Sequence, residues 1–393
     1  MQQLKVAIIG AGPAGTSAAI YLSRAQLAPT LYTGLKSGGQ LMFTADVENY
    51  AGFPNGIKGP DLMIAAQQQA GKFGTKIEYL YITAVDFSAR PFKLWTADAG
   101  LAYEEIAKLD DARFESHLAK IKALPHDVEA EAVVITTGSE AIRLGVPGED
   151  KFFGRGVSVC AVCDAAFFKD KKTTVVGGGD SAMEDALALT KFATSVTVVH
   201  RRDSFKASKI MTERVLNNPK IKVLWNSELK EVVGNEAGDK VHSIKILNNK
   251  DKVNGEAREG ALGQNKESIV ETDGVFFAIG HKPVTRIFGG QIALDTRGYI
   301  VTKQSPTKEG VEMASKNLDE NGVVTYPTMT SVEGVFAAGD QVDIRYKQAI
   351  AAAGAGAMAA IDTERWIESQ AAPSTQTPPP NSPTPVSTSP APQ

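Results

Sequence analysis

Apolar and polar positions follow the same order twice along this chain. LKVAIIGAGPAGTSAAIYLSRA opens on an apolar run, turns on glycines and continues with small and apolar residues at helical spacing. KKTTVVGGGDSAMEDALALTKFA repeats that order about 170 residues later. An apolar run without polar alternation suits a strand covered on both faces, as in a parallel sheet. A third segment, SVEGVFAAGDQVDIRYKQAIAAAGAGAMAAIDTERWIES, reads as strand, turn and long helix. Its small residues from Ala351 to Ala360 let that helix pack closely on a neighbour. The pattern predicts an α/β fold.

Three stretches break the pattern. Residues 101–130 are charged and helical in period, with Tyr103, Ile106, Leu109, Phe114, Leu118 and Ile121 on one stripe, and read as a surface insertion. Residues 301–331 are polar and read as a loop or hairpin excursion. From Ala371 the chain holds eight of its nineteen prolines and no charged side chain, so residues 371–393 are expected to be a disordered tail or linker.

Composition adds only bounds. The 393 residues are 43% apolar and 22% charged, ordinary for a globular chain of two or three domains. A net charge of −3 gives no broad basic field for nucleic acid. No apolar run reaches the roughly eighteen residues that a membrane helix needs. The chain starts directly in a strand, without a leader pattern, and has two cysteines, so a cytoplasmic address is expected.

The glycine turns carry the first chemistry. Gly10-x-Gly12-x-x-Gly15 follows a strand and opens a helix. That context fits a dinucleotide site: Gly10 for the tight turn, Gly12 for backbone approach to a pyrophosphate, Gly15 for helix–strand packing. The helix N-terminus supplies unpaired N–H groups and partial positive charge. The next strand, APTLYTG, lacks the usual ribose-binding acid. Gly177-x-Gly179-x-x-Ala182 repeats the motif. About 20 residues further on, where an acid would bind a ribose hydroxyl, this chain has His200, Arg201 and Arg202. Guanidinium groups clamp a 2′-phosphate, so NADPH is predicted over NADH.

Both cysteines fall in RGVSVCAVCDAAFF, as Cys160-x-x-Cys163 followed by Asp164. Such a pair serves as half a zinc site, as a structural pair or as a redox dithiol. A closed zinc site wants four ligands, and neither a second cysteine pair nor a histidine at ligand spacing is present, so no metal is expected. Two dinucleotide sites and one dithiol also need a link between hydride transfer and disulfide opening. A flavin provides it, which assigns FAD to the first site, NADPH to the second and the dithiol as the outlet.

Eight stretches occur in one order from about residue 5 to 367: GAGPAG, GGQLMFTADVENYAGFP, ITTG, CAVCD, VVGGGDSAMEDA, HRRDSFKASKIM, GVFFAIGHKP and GVFAAGD…YKQAI. On these the chain resembles the low-molecular-weight thioredoxin reductases, flavoprotein disulfide reductases. The resemblance implies two Rossmann-like domains. The FAD-binding domain is discontinuous, 1–140 plus 282–370, and the NADPH-binding domain, 141–281, carries the dithiol. It places FAD against Gly10, Gly12, Pro13, Ala14, Gly15, Gly39, Gln40, Leu41, Asn49, Gly339, Asp340, Gln348 and Ala349. It places NADPH against Gly177, Gly179, Asp180, Ser181, His200, Arg201 and Arg202, with Lys206 nearby. It implies Cys163 beside the flavin, Cys160 attacking thioredoxin, Asp164 handling the proton, a rotating NADPH domain and a homodimer. The chain departs from the family pattern at Ala165 (usually Gly), Lys347 (usually Arg) and Thr136 (usually Ala). Three other readings compete: a reductase of another disulfide, such as a peroxiredoxin type; a system fused to a thioredoxin domain; and a flavin-holding redox sensor that does not turn over.

Overall fold

In the computed structural model, residues 1–34, 37–44, 46–106, 108–248, 252–253, 256–257 and 266–371 are described. The Pro-rich segment 372–393 lies outside them. The first sheet has seven strands, in the order Lys76–Glu78, Thr30–Tyr32, Gln2–Ile9, Val128–Ile135, Phe92–Trp95, Ala84–Asp86, with Val335–Ala337 also paired to Val128–Ile135. Gln2–Ile9 runs parallel to both of its neighbours. The far edge of Val128–Ile135 is shared. Phe92–Leu94 pair antiparallel with Val128–Ala130, and Val335–Ala337 pair parallel with Val133–Ile135.

The pleat sorts the side chains of these strands into two cores. Val6, Ile8 and Val134 pack with Ala18, Leu22, Phe336, Ala359 and Trp366. Ala7, Ile9, Val133 and Ile135 face the other way, onto Phe92, Phe288 and Val335. Each such fully buried large side chain contributes about 1.5–3 kcal/mol relative to exposure. The helices Pro13–Arg24 and Ala349–Ala371 cover the first face and lie in close contact, with Ala14 against Gly356.

The second sheet is parallel throughout: Ile221–Leu224, Ser195–Val199, Lys172–Gly177, Gly274–Ala278, Val157–Ser158. Beside it lies an antiparallel three-stranded sheet, Ser227–Gly234, Val241–Asn248 and Lys266–Glu271. Between the large sheets the chain crosses twice. The crossings pair as a two-stranded ribbon, Ser139–Ala141 against His281–Pro283.

The 101–130 stretch forms the helix Asp111–Lys122, whose N-cap Asp110 accepts the Arg113 N–H. Its stripe is buried: Phe114, Leu118 and Ile121 pack on Ala84, Trp95 and Ile106. Residues 128–130 belong to the central strand, so the excursion ends before the boundary read from sequence. Residues 301–331 differ from the loop or hairpin expected. They include the helix Lys308–Ser315, started by the Thr307 hydroxyl, which accepts the Gly310 N–H.

Candidate functional site

The first glycine turn is built for close approach. Gly10 has φ +109°, and a Cβ there would lie 2.3 Å from the Thr136 carbonyl oxygen. A Cβ on Gly15 would lie 1.9 Å from the Gly10 oxygen, so glycine is required at both positions. Thr136 fixes the turn by donating its hydroxyl to the Ile9 and Gly10 carbonyls at 3.0 and 2.8 Å. Gly12 caps the following helix without a side-chain hydrogen bond, which leaves first-turn N–H groups for an anion.

In front of this turn lies a cleft of about 710 Å³, a size suited to a cofactor. Of the first-site residues predicted, Gly10, Gly12, Pro13, Ala14, Gly39, Gln40, Leu41, Asn49, Gly339, Asp340, Gln348 and Ala349 line it. Gly15 lies beneath the turn instead. Distant parts of the chain meet across the cleft: the Asn49 side-chain amide donates to Gln348 Oε1 at 3.2 Å. Gly39 approaches Gly12 so closely that a Cβ on it would sit 3.3 Å from the Gly12 Cα. Two glycine backbones facing each other leave a cradle that fits a pyrophosphate, so the residues suit the expected FAD.

Sequence reasoning missed Gln341 and His281 here. Gln341 is fully buried; its Oε1 accepts the Gly138 N–H, and its Nε2 donates to the Ile135 and Ala338 carbonyls. It ties the crossing strand to the turn carrying Gly339 and Asp340. Burial raises the Asp340 carboxyl to about 6; Asp343 adds to the rise and Lys347 opposes it. Burial, with Lys347 second, lowers His281 to about 4, so it is neutral at physiological pH. Lys347 has φ +48° and donates to the Tyr299 hydroxyl at 2.7 Å.

The second motif lies on the strand Lys172–Gly177 and the helix Asp180–Leu189, capped by Gly179 without a side-chain bond. A Cβ on Gly177 would lie 2.4 Å from the Ala278 oxygen. Gly178, unassigned from sequence, lies under the His200 ring, where a Cβ would come within 2.1 Å. The His200 Nε2 contacts the Ser204 carbonyl at 2.9 Å, and burial lowers its pKa. Arg201 is exposed and Arg202 half-exposed at the end of the neighbouring strand. Asp180 is engaged: its Oδ1 accepts the Ser208 N–H and hydroxyl at 2.9 and 2.8 Å. Ser181 lines the first cleft.

The cysteines are joined as a disulfide, Cα atoms 5.3 Å apart, and both line the first cleft. Cys160 caps the short helix Ala161–Asp164, and its Sγ accepts the Cys163 N–H at 3.2 Å. Ala165 has an ordinary helical φ of −57°, so alanine is unstrained there. Burial raises the Asp164 carboxyl, partly offset by the Ser158 hydroxyl, which donates to Oδ2 at 2.5 Å. Ser158 also accepts the Cys160 N–H at 3.1 Å. A carboxyl whose proton affinity is raised by burial, beside a disulfide in a cofactor-sized cleft, is equipped to exchange a proton as sulfur is reduced. Among the described residues no group of His, Cys, Asp and Glu is arranged to hold a metal.

Comparison with known proteins identifies the family. The family described as pyridine nucleotide-disulphide oxidoreductase matches residues 4–356. The thioredoxin reductase of Rickettsia felis is 44% identical over 363 residues, covering 92% of this chain and 98% of its own. That of Debaryomyces hansenii is 42% identical over 374 residues, covering 93% and 98%. Among solved structures, thioredoxin reductase from Giardia duodenalis superposes with a TM-score of 0.74 at 37% identity, covering 94% of this chain and 100% of that one. The Streptococcus pyogenes enzyme gives 0.73 at 33%, covering 93% and 99%.

Proposed function

We infer the reaction from one premise: this chain belongs to the pyridine nucleotide-disulphide oxidoreductase family. It is an oxidoreductase whose cofactors are FAD and NADPH. The reaction we propose is NADPH + H⁺ + thioredoxin disulfide → NADP⁺ + thioredoxin dithiol. The observation that carries it is the Cys160–Cys163 disulfide lining the same cleft as the Gly10–Gly12 cradle.

FAD, when bound, supplies the step that turns a hydride into a reduced disulfide. The chain's own residues do the rest. Gly12 and the helix behind it hold the pyrophosphate, and Asn49, Gln348 and Ala349 hold the other end of the cofactor. Gly177 and Gly179 hold the second dinucleotide, and Arg201 and Arg202 clamp its 2′-phosphate. Asp164 protonates the sulfur released when the disulfide opens. Cys160 then attacks the thioredoxin disulfide, and Cys163 closes the enzyme disulfide again. We propose a two-part division at residues 140 and 282, which the pairing of Ser139–Ala141 with His281–Pro283 supports. No helix among the described residues is long and apolar enough to cross a membrane. A cytoplasmic address follows from a lone dithiol that must cycle in reducing surroundings. A homodimer follows from the resemblance, and sedimentation checks it.

The test is loss of NADPH absorbance with FAD and oxidised thioredoxin present. Turnover is expected with the intact chain and absent in Cys160→Ser, whose flavin is still bleached by NADPH. Bleaching without turnover in the intact chain would overturn thioredoxin as the substrate.

A further inference from the structure

A second carboxyl lies beside the dithiol and has no role in the reaction above. Asp185 sits on the helix Asp180–Leu189, 24 residues after Ala161, and lines the cleft with both cysteines. Its Oδ1 accepts the Ala161 N–H at 3.3 Å. Ala161 follows Cys160 directly and is itself fully buried, so this bond anchors the first turn of the helix Ala161–Asp164. The dithiol segment is therefore held at two points: Ser158 and Asp164 on one side, Asp185 on the other.

We propose that Asp185 is a positioning residue for the redox dithiol: its carboxyl orients the turn carrying Cys160, and its negative charge, when present, holds back ionisation of that thiol. The proposal rests on the dithiol being the electron outlet. Hydrogen bonding to Ala161 alone would be served equally well by a neutral amide. Here a half-buried titratable carboxyl does so instead, bonded to the residue that follows Cys160, whose reactivity depends on thiolate content. Burial pushes Asp185 up to about 7 against the Ala161 N–H bond, which lowers it, while Glu184 on its own helix and Asp164 on the dithiol helix add to the rise. No cation lowers it: beyond the dithiol helix, the elements packed on its own helix, Lys209–Leu216, Lys172–Gly177, Gly274–Ala278, Ser195–Val199 and Ala165–Phe168, add no charged group to its shift. Elsewhere in the cleft wall the ionisable groups include Asp46, Asp340, Lys108, Arg345, Lys347 and neutral His281. Asp185 thus changes charge near neutral pH, and the thiol beside it is freer to ionise below that pH than above it.

The test is alkylation of the FAD-loaded protein, reduced with a phosphine and treated with iodoacetamide from pH 5.5 to 9. The thiolate attacks carbon, a C–S bond forms and iodide leaves, so the rate reads thiolate content, and peptide mapping assigns it to Cys160 or Cys163. Asp185→Asn keeps an acceptor for Ala161 and removes the charge. We expect its Cys160 to react about fivefold faster than wild type at pH 8, as a pKa fall of somewhat under one unit requires, with little difference at pH 5.5. Asp185→Ala removes charge and acceptor together and should also lose the preference for Cys160 over Cys163. Asp185→Asn superposing on wild type throughout would overturn the proposal, and so would a change confined to Asp185→Ala, which leaves packing alone. Alkylation needs neither NADPH nor thioredoxin. Absent thioredoxin turnover in wild type would therefore count against the substrate and leave this measurement standing.

Discussion

Replacing Gly356 by alanine tests whether the first cofactor cradle depends on contact between two helices. Gly356 lies inside the helix Ala349–Ala371 and faces Ala14 at the start of the helix Pro13–Arg24. A Cβ there would be 2.0 Å from the Ala14 carbonyl oxygen and 2.7 Å from its carbon. Restoring a contact of about 3.3 Å requires the helices to part by about 1.3 Å. The obstructing atoms are backbone, so no rotamer change relieves them. Overpacking of this kind costs roughly 3 kcal/mol, the upper end of its usual range. Alanine returns about 1 kcal/mol of helix propensity, leaving a net loss of about 2 kcal/mol. Gly354, two residues earlier, is exposed with nothing within 4 Å of its missing Cβ. There the same substitution should gain up to about 1 kcal/mol. The pair is measured by thermal melts followed by tryptophan fluorescence, with released FAD fluorescence as a second signal. Ala14 lines the cleft and Gly339 abuts it, so Gly356→Ala should also release FAD at lower temperature. A Gly356→Ala protein that melts at or above the wild-type temperature with its FAD retained would refute the packing argument.

Two further outcomes follow from charge. Arg201→Ala with Arg202→Ala should raise KM for NADPH about 10²–10⁴-fold and leave that for NADH nearly unchanged, since each charge-assisted bond contributes about 1.5–3 kcal/mol; an equal rise for both nucleotides would count against the pair as reader of the 2′-phosphate. Asp185 links stability to pH: its carboxyl titrates near 7 in the fold against an ordinary 3.8. Between those values the folded chain holds a proton that the unfolded chain has released, so the contribution is full below about 3.8 and is lost as pH rises to 7. Relative to Asp185→Asn, the wild type should therefore gain on the order of 2 kcal/mol between pH 7 and pH 5. Parallel denaturant melts at the two pH values check this, and a constant gap would show that the carboxyl is not held protonated.

What could be read from sequence depended on how local the cause was. Gly10 and Gly15 were legible because steric demand within one turn excludes a side chain there, and residue type alone records it. The cysteine pair was visible in its spacing, but the redox reading needed the two dinucleotide motifs elsewhere in the chain. The start of the strand at Val128 was obscured, because Glu129 and Glu131 alternate with buried Val128, Ala130 and Ala132 before the fully apolar run begins. Charged residues at those positions read as a continuation of the preceding helix. The helix Lys308–Ser315 buries only Gly310, so it offers no apolar stripe and only its Thr307 cap marks it. Asp185 and Gln341 could not be found, since each acts on a main-chain group that only tertiary packing brings near. Within DSAMEDA, Asp185 reads as one more acid on a solvated helix.

The shared edge of the central strand also sets an order of events during synthesis. Val133, Val134 and Ile135 wait for Val335–Ala337, about 200 residues later, to complete their pairing. At about 5–20 residues per second, that interval lasts roughly 10–40 seconds. The second large sheet, whose strands all lie between Val157 and Ala278, emerges entire within the wait. The inserted unit is thus ready to fold first, while the unit that begins the chain holds an apolar sheet edge open. A ribosome that stalls between residues 285 and 335 therefore leaves a finished second sheet attached to a half-sheet with a sticky border, the form in which this chain is most exposed to joining other chains.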